Sequence, residues 1–321
     1  MNCVRHPVAL FAFSYSNQVT ENKMAIDKKT AVRLAKACLW AYEFELSRVE
    51  ELLKFDGAAP EKTSVISDDQ NTSTSFAGVI EYADVTIVAF QGTITEFERD
   101  GVFRFDSVVD WFQNFKIKQV KTNESGLPGD VHFGFLDQLN LIYEEVKSKL
   151  DKEKPVVLTG HSQGGAIACL ATKKLELDGF TVKETYTFAS PRPGDAEFAN
   201  SIKTPVFRVE FGHDIVPHVP PTLMQGGSVG RILALMGLTG KLPDLLASFA
   251  KMLKEAEENS YTSVGSLTYR PEDGDLQTDV AIEEELEMRS SRRTGLLFAG
   301  KDLGNHHSLE NYIAVRLSGL N

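Results

Sequence analysis

Two rhythms of apolar residues alternate along this chain. Short β-branched runs at 76–82, 85–90, 156–158, 181–189 and 205–211 read as strands. Between them, apolar positions spaced by three and four read as helices. Asp27 can cap a helix whose apolar face carries Val32, Leu34, Ala35, Cys38, Leu39 and Tyr42. A second helical pattern runs from about Leu46 to Lys54 and stops at Gly57, and 58–75 read as polar and turn-rich. The 76–82 run then reads as an outer strand. Val131 to Phe135 leads into a helix reaching about Leu150, with Leu136, Leu139, Ile142, Tyr143 and Val146 on one face. Asp195 opens a short helix with Phe198. Strands alternating with helices predict an α/β fold, a mostly parallel central sheet with helices on both faces. In such sheets, sites gather beyond the carboxyl ends of the strands.

One stretch stands out from that rhythm. Pro155 and the run Val156-Val157-Leu158 lead into Thr159-Gly160-His161-Ser162-Gln163-Gly164-Gly165-Ala166. The pattern is G-x-S-x-G after a strand and before a helix rich in small residues. That context separates a nucleophile elbow from an ordinary Gly-Ser turn, because the glycines leave room for a strained turn that lifts the serine hydroxyl clear of the backbone.

Two segments break the alternation. Residues 94–110 mix charge with large apolar side chains, among them Phe97, Val102, Phe103 and Phe105. They read either as a surface loop running into an amphipathic helix or as a flap, apolar inside, over a site. Residues 222–304 contain an amphipathic stretch around Leu245 to Leu253, then a polar stretch from Lys254 to Gly295. They read as an inserted elaboration, since the chain must return to deliver a last motif at 305–312. The 245–253 stretch either packs on the main body or forms a second apolar cap beside the site. The expected organisation is a loose leader over 1–23 and a single domain over 24–321, with the insertion inside it.

The chain has 321 residues, 42% hydrophobic and 25% charged, which supplies a sizeable core. A net charge of -11 and the lack of a basic patch argue against nucleic acid as a partner. No run of 18 apolar residues appears, so no transmembrane helix is expected. Cys3, Cys38 and Cys169 are too few and too widely spaced for a metal site or a disulfide framework. The start of the chain makes a poor secretory signal, and the expected compartment is the cytoplasm, with secretion as the alternative.

A serine hydroxyl needs a base within hydrogen-bond reach, and the base needs an orienting group. In the serine–acid–histidine order that goes with this elbow, the acid follows Ser162. Asp214, just past the 205–211 strand, is favoured over Asp195, which suits a helix cap. Of the later histidines, His213 and His218 suit loop or surface positions, and a base on a loop near the end favours the adjacent pair His306 and His307, which the residues alone barely separate. The oxyanion needs preorganised N–H donors, worth about 3–4 kcal/mol each. Gln163, next after the nucleophile, supplies one, and Thr93, in the turn Gln91-Gly92-Thr93 after an earlier strand, supplies the other.

With these blocks in hand, the sequence resembles the class 3 (fungal-type) lipase family of α/β-hydrolases. The likeness rests on Ala89-Phe90-Gln91-Gly92-Thr93, Asp110-Trp111 with Asn114, Val131-His132 with Gly134-Phe135, the elbow, Phe188-Ala189-Ser190-Pro191-Arg192 with Gly194-Asp195, Asp214-Ile215-Val216-Pro217, and His307-Ser308-Leu309 with Tyr312. The blocks fall in family order over about 30–225 and 305–315. The resemblance implies a triad of Ser162, Asp214 and His307, selects His307 over its neighbour, and makes about 94–109 a lid. Such lids open at a lipid–water interface. It implies hydrolysis of carboxylic esters, most simply acylglycerols, with no metal or organic cofactor and with a lipid or other ester substrate as partner. A phospholipase A-type enzyme and a short-chain or aromatic-acyl esterase fit the same scaffold. A lipase-like binding module without activity is the alternative of a different class, and peptide cleavage by the same triad is a further one. Gln91 stands where the family usually has arginine, the lid is long, and the insertion is large.

Overall fold

Asp27 accepts a hydrogen bond from the Lys29 N–H (3.1 Å) and starts helix α1, Lys28–Glu43. Its buried face carries Ala31, Leu34, Ala35, Ala37, Cys38, Trp40 and Ala41. The small residues let the helix lie close against a sheet. This computed structural model describes residues 26–68, 76–92, 98–99, 102–103, 118–212, 214, 216–220, 260–270, 277–278, 307 and 309. The leader over 1–23 and the 245–253 stretch lie outside the described residues.

Eight strands form the main sheet in simple chain order: β1 (Lys62–Ser67), β2 (Phe76–Glu81), β3 (Thr86–Phe90), β4 (Val156–His161), β5 (Val182–Phe188), β6 (Val206–Phe211), β7 (Ser266–Arg270) and β8 (Gln277–Thr278). β1 to β3 run antiparallel. β3 to β7 are parallel neighbours, and β8 closes the edge antiparallel. Helices α2 (Phe133–Ser148) and α3 (Gln163–Leu177) lie in the crossovers on either side of β4, and α4 (Ala196–Ser201) links β5 to β6.

Alternation along the strands divides the core into two layers. Val88, Phe90, Val156 and Leu158 pack with α2 and α3 on one face. Ile87, Ala89, Val157, Tyr186 and Phe188 pack with α1 on the other. Every residue of β3, β4 and β6 is buried, as expected for parallel strands covered on both sides. This is the α/β-hydrolase architecture, with helices on both faces of a mostly parallel sheet.

Two strands depart from the sequence expectation. β1 lies inside the 58–75 stretch read as turns, so the 76–82 run is not the outer strand. Only Ile66 of β1 is classed as buried, because a short, polar strand is how a sheet edge is blunted against stray pairing. β7 lies inside the range read as an insertion, yet it pairs in register with β6, Phe207 opposite Ser266 through Phe211 opposite Arg270. Leu267 and Tyr269 are its buried apolar residues, a signal too short to stand out in polar surroundings.

Candidate active site

The elbow joins β4 to α3. Ser162 takes φ 55° and ψ −131°, a region that costs a non-glycine residue about 1–3 kcal/mol and persists only where its surroundings fix it. They do so here. The Ser162 N–H donates to the Phe188 carbonyl of β5 (2.9 Å), and the Ser162 carbonyl accepts from the Gly165 N–H (2.9 Å). A Cβ on Gly160 would run into the Gly164 backbone, and one on Gly164 into the Phe90 carbonyl at the end of β3. The two glycines therefore let strand, helix and neighbouring strand meet at one point, and the serine sits on top.

Asp214 follows β6 after a glycine turn and is 1% exposed. Its Oδ1 accepts from the Val216 N–H (3.0 Å), which fixes the plane of the carboxylate. The segment beyond is held by Arg192, whose guanidinium donates to the carbonyls of His218 and Pro220 and whose backbone N–H donates to the Val219 carbonyl. Asp195, the rival acid, accepts from the Phe198 N–H (2.8 Å) and caps α4.

His307 reaches both partners. Its Nδ1 lies 2.9 Å from Asp214 Oδ2 and its Nε2 lies 3.0 Å from Ser162 Oγ. All three side chains are buried. Leu309, two residues on, packs in the α1 layer and anchors this end of the chain to the body. The carboxylate can hold the Nδ1 proton, leaving the Nε2 lone pair to accept from the serine hydroxyl. That order of groups can activate an alcohol for attack on a carbonyl.

Gln163 opens α3, in the first turn where N–H groups lie outside the helix's own ladder and the helix dipole favours an anion. Its side-chain amide donates to the side-chain Oε1 of Gln138 on α2. The turn after β3 is tied down by Gln91, whose side-chain amide donates to the carbonyl of Ala41 (2.8 Å) and, more distantly, of Tyr42 (3.3 Å). Thr93, Phe97 and Phe105 lie outside the described residues. Val102 and Phe103 belong to a small antiparallel ribbon with Glu98 and Arg99, and their side chains lie outside the description. Among the described residues, no group of three or more His, Cys, Asp or Glu side chains is placed to hold a metal ion. Cys38 and Cys169 are buried, and burial pushes both thiols up to about 12.

Sequence reasoning passed over His161 and Tyr42. His161 precedes the serine, so it was set aside as a base, and Tyr42 counted only as an apolar position on α1. The polar tip of that tyrosine, at the end of a helix, was the available signal. The two side chains meet at 2.9 Å, from Tyr42 Oη to His161 Nδ1. Burial, and then the nearby His307, hold the His161 imidazole well below its usual 6.5, so it is neutral in the folded protein. The unfolded side chain takes up a proton as pH falls through about 6.5. Stability tied to His161 is therefore complete above that pH and is lost below it, by at most one proton's slope, about 1.4 kcal/mol per pH unit. Urea midpoints measured from pH 8 to pH 5 will fall more steeply for the native chain than for His161→Gln. Parallel curves would contradict this.

Residues 88–224, which include Ser162 and Asp214, match the family model for class 3 lipases. The chain is 36% identical over 124 residues to secreted mono- and diacylglycerol lipase 1 of Fusarium solani, covering 36% of this chain and 37% of that one. It is 28% identical over 164 residues to secreted mono- and diacylglycerol lipase A of Penicillium cyclopium, covering 48% of this chain and 49% of that one. The chain thus spans about half or less of the length of these relatives. A solved structure described for an unusual buried polar cluster in a family of fungal lipases superposes with a TM-score of 0.54 at 20% identity, over 89% of this chain and 96% of that one, a likeness of fold. The names of both relatives overturn the cytoplasmic expectation, which leaned on a weak apolar start and a lack of disulfide spacing: each is called secreted. Over the segment that carries the elbow the chain is thus similar to class 3 lipases, and its fold is like that of fungal lipases.

Proposed function

We propose that this protein is a serine ester hydrolase, a lipase acting on acylglycerol esters at a lipid–water interface. The observation that supports this most is the hydrogen-bonded line from Ser162 through His307 to Asp214, at 3.0 and 2.9 Å. In the proposed cycle Ser162 Oγ attacks the ester carbonyl carbon while His307 Nε2 takes the hydroxyl proton. The negative charge moves to the carbonyl oxygen, which the N–H groups of Gln163 and Thr93 receive. The intermediate collapses, the C–O bond to the alcohol breaks, and His307 returns its proton to the departing oxygen. Water then attacks the acyl-enzyme, His307 takes its proton, and collapse releases the fatty acid and restores the Ser162 hydroxyl.

The relatives named as mono- and diacylglycerol lipases support the substrate class. The net charge of -11 favours uncharged acylglycerol surfaces over anionic bilayers. Phe97, Val102, Phe103 and Phe105 are proposed to form the inner, acyl-facing side of a lid. The relatives named as secreted also support export of this chain. The test is hydrolysis of p-nitrophenyl esters from acetate to palmitate, below and above the point where the substrate aggregates, with Ser162→Ala as control. A lipase gives serine-dependent activity that rises with chain length and jumps when an interface forms. Serine-dependent activity confined to short chains would replace this reading with an esterase, and no serine-dependent activity would replace it with a binding module.

A further inference from the structure

Three separate pieces of the candidate site meet at one pair of side chains. His161 is the last residue of β4, adjacent to the nucleophile, and Tyr42 lies in the last turn of α1. His161 Nε2 lies 2.8 Å from the backbone carbonyl of His307, and its Nδ1 lies 2.9 Å from the Tyr42 hydroxyl. A carbonyl oxygen only accepts, so Nε2 carries the imidazole proton. Nδ1 is then the acceptor, and the Tyr42 hydroxyl donates to it. The Tyr42 oxygen in turn accepts from the Gly92 backbone N–H, in the turn after β3. Each donor in this line has one acceptor, and each direction follows from the one before.

The packing agrees with the hydrogen bonds. The His161 and His307 rings lie with centroids 4.8 Å apart, and Tyr42 meets His161 edge-on at 5.8 Å. A Cβ on Gly92 would strike the Tyr42 hydroxyl and the His161 carbonyl, so only glycine lets the turn approach this closely. Gln91 ties the same turn to the end of α1 through the carbonyls of Ala41 and Tyr42.

We propose that His161 and Tyr42 are positioning residues, which hold the backbone of His307 and the turn after β3 at fixed distances from Ser162. The proposal rests on the reading of Ser162 and His307 as nucleophile and base. The histidine comes from a segment distant in sequence, 145 positions from Ser162. Leu309 anchors that segment to the α1 layer, two residues beyond the base. His161 sets the base's height over the serine, because it is covalently next to the nucleophile and hydrogen-bonded to the base's own backbone. It must stay neutral with its proton on Nε2; the accept-only His307 carbonyl fixes that tautomer, and the Tyr42 hydroxyl satisfies the Nδ1 lone pair that it leaves.

Three variants test the proposal: His161→Leu, which removes the donor; His161→Gln, whose side-chain amide can still donate to the His307 carbonyl; and Tyr42→Phe, which removes one hydroxyl. An error of about 1 Å in placing a reacting group costs on the order of a hundredfold in rate. The expected result is a kcat lowered about tenfold to a hundredfold in His161→Leu and about tenfold in Tyr42→Phe, with KM within about twofold and most of kcat restored in His161→Gln. The downfield proton signal of His307 Nδ1–H against Asp214, read by NMR without substrate, should broaden in His161→Leu and sharpen again in His161→Gln. If His161→Leu fails to fold, Tyr42→Phe carries the same kcat and NMR test. An unchanged kcat, or an equal loss in the leucine and glutamine variants, overturns the proposal. Activity that survives Ser162→Ala in the same assay overturns the functional reading instead, and the two failures are distinct.

Discussion

Replacing Ser162 with alanine will lower kcat on the best ester substrate by about 10⁴- to 10⁶-fold while the fold persists. The side chain is small and its backbone is fixed by Phe188 and Gly165, so alanine fits the elbow without new strain. His307→Ala should cost a similar factor, because neither group works without the other. The double variant should then be little worse than either single one. Circular dichroism and thermal melting separate loss of chemistry from loss of fold. A loss below tenfold in a folded Ser162→Ala protein would show that another nucleophile does the work.

The second large effect is expected from Asp214→Asn, and its cause is a tautomer. Among the described residues, Asp214 accepts from the Val216 N–H at Oδ1 and from His307 Nδ1 at Oδ2. An asparagine has one oxygen and one NH₂. The Val216 N–H needs an acceptor, so the amide oxygen turns toward it and the NH₂ faces His307 Nδ1. Nδ1 must then accept, which moves the imidazole proton to Nε2 and points an N–H at Ser162 Oγ, 3.0 Å away. The base is lost although every atom stays near its place. The same change in the best-studied serine hydrolase triad costs about 10⁴ in kcat. Asp214→Asn should therefore be no more active than Asp214→Ala, in which His307 is free to sample both tautomers. An asparagine variant within tenfold of the native rate would refute the tautomer account.

Much of the site was legible because its parts obey local rules. The elbow needs small residues on both sides of the serine, and Gly160 and Gly164 announce that need directly. The strand ends at Phe90 and Phe211 were legible from largely apolar runs, whereas β4 runs past the apolar 156–158 into the motif and ends at His161. Asp195 was separable from Asp214 because a cap sits at a helix start. What escaped depends on partners far along the chain. β1 and β7 are polar or short, and only their neighbours make them strands. Tyr42 counted as one more apolar residue on a helix face, and its role comes from a histidine 119 positions away. His161 sat inside the motif itself, but its chain order excluded it as a base and left no reason to give it another task.

The measurement that tests the central claim most directly is covalent labelling by a fluorophosphonate, which reacts only with a serine activated by its base. Intact-mass spectrometry followed by peptide mapping gives the number and the place of adducts. The account predicts one adduct per chain, on Ser162, absent in Ser162→Ala and formed at least a hundredfold more slowly in His307→Ala. A folded protein that takes up no label, or that carries it on another residue, would contradict it.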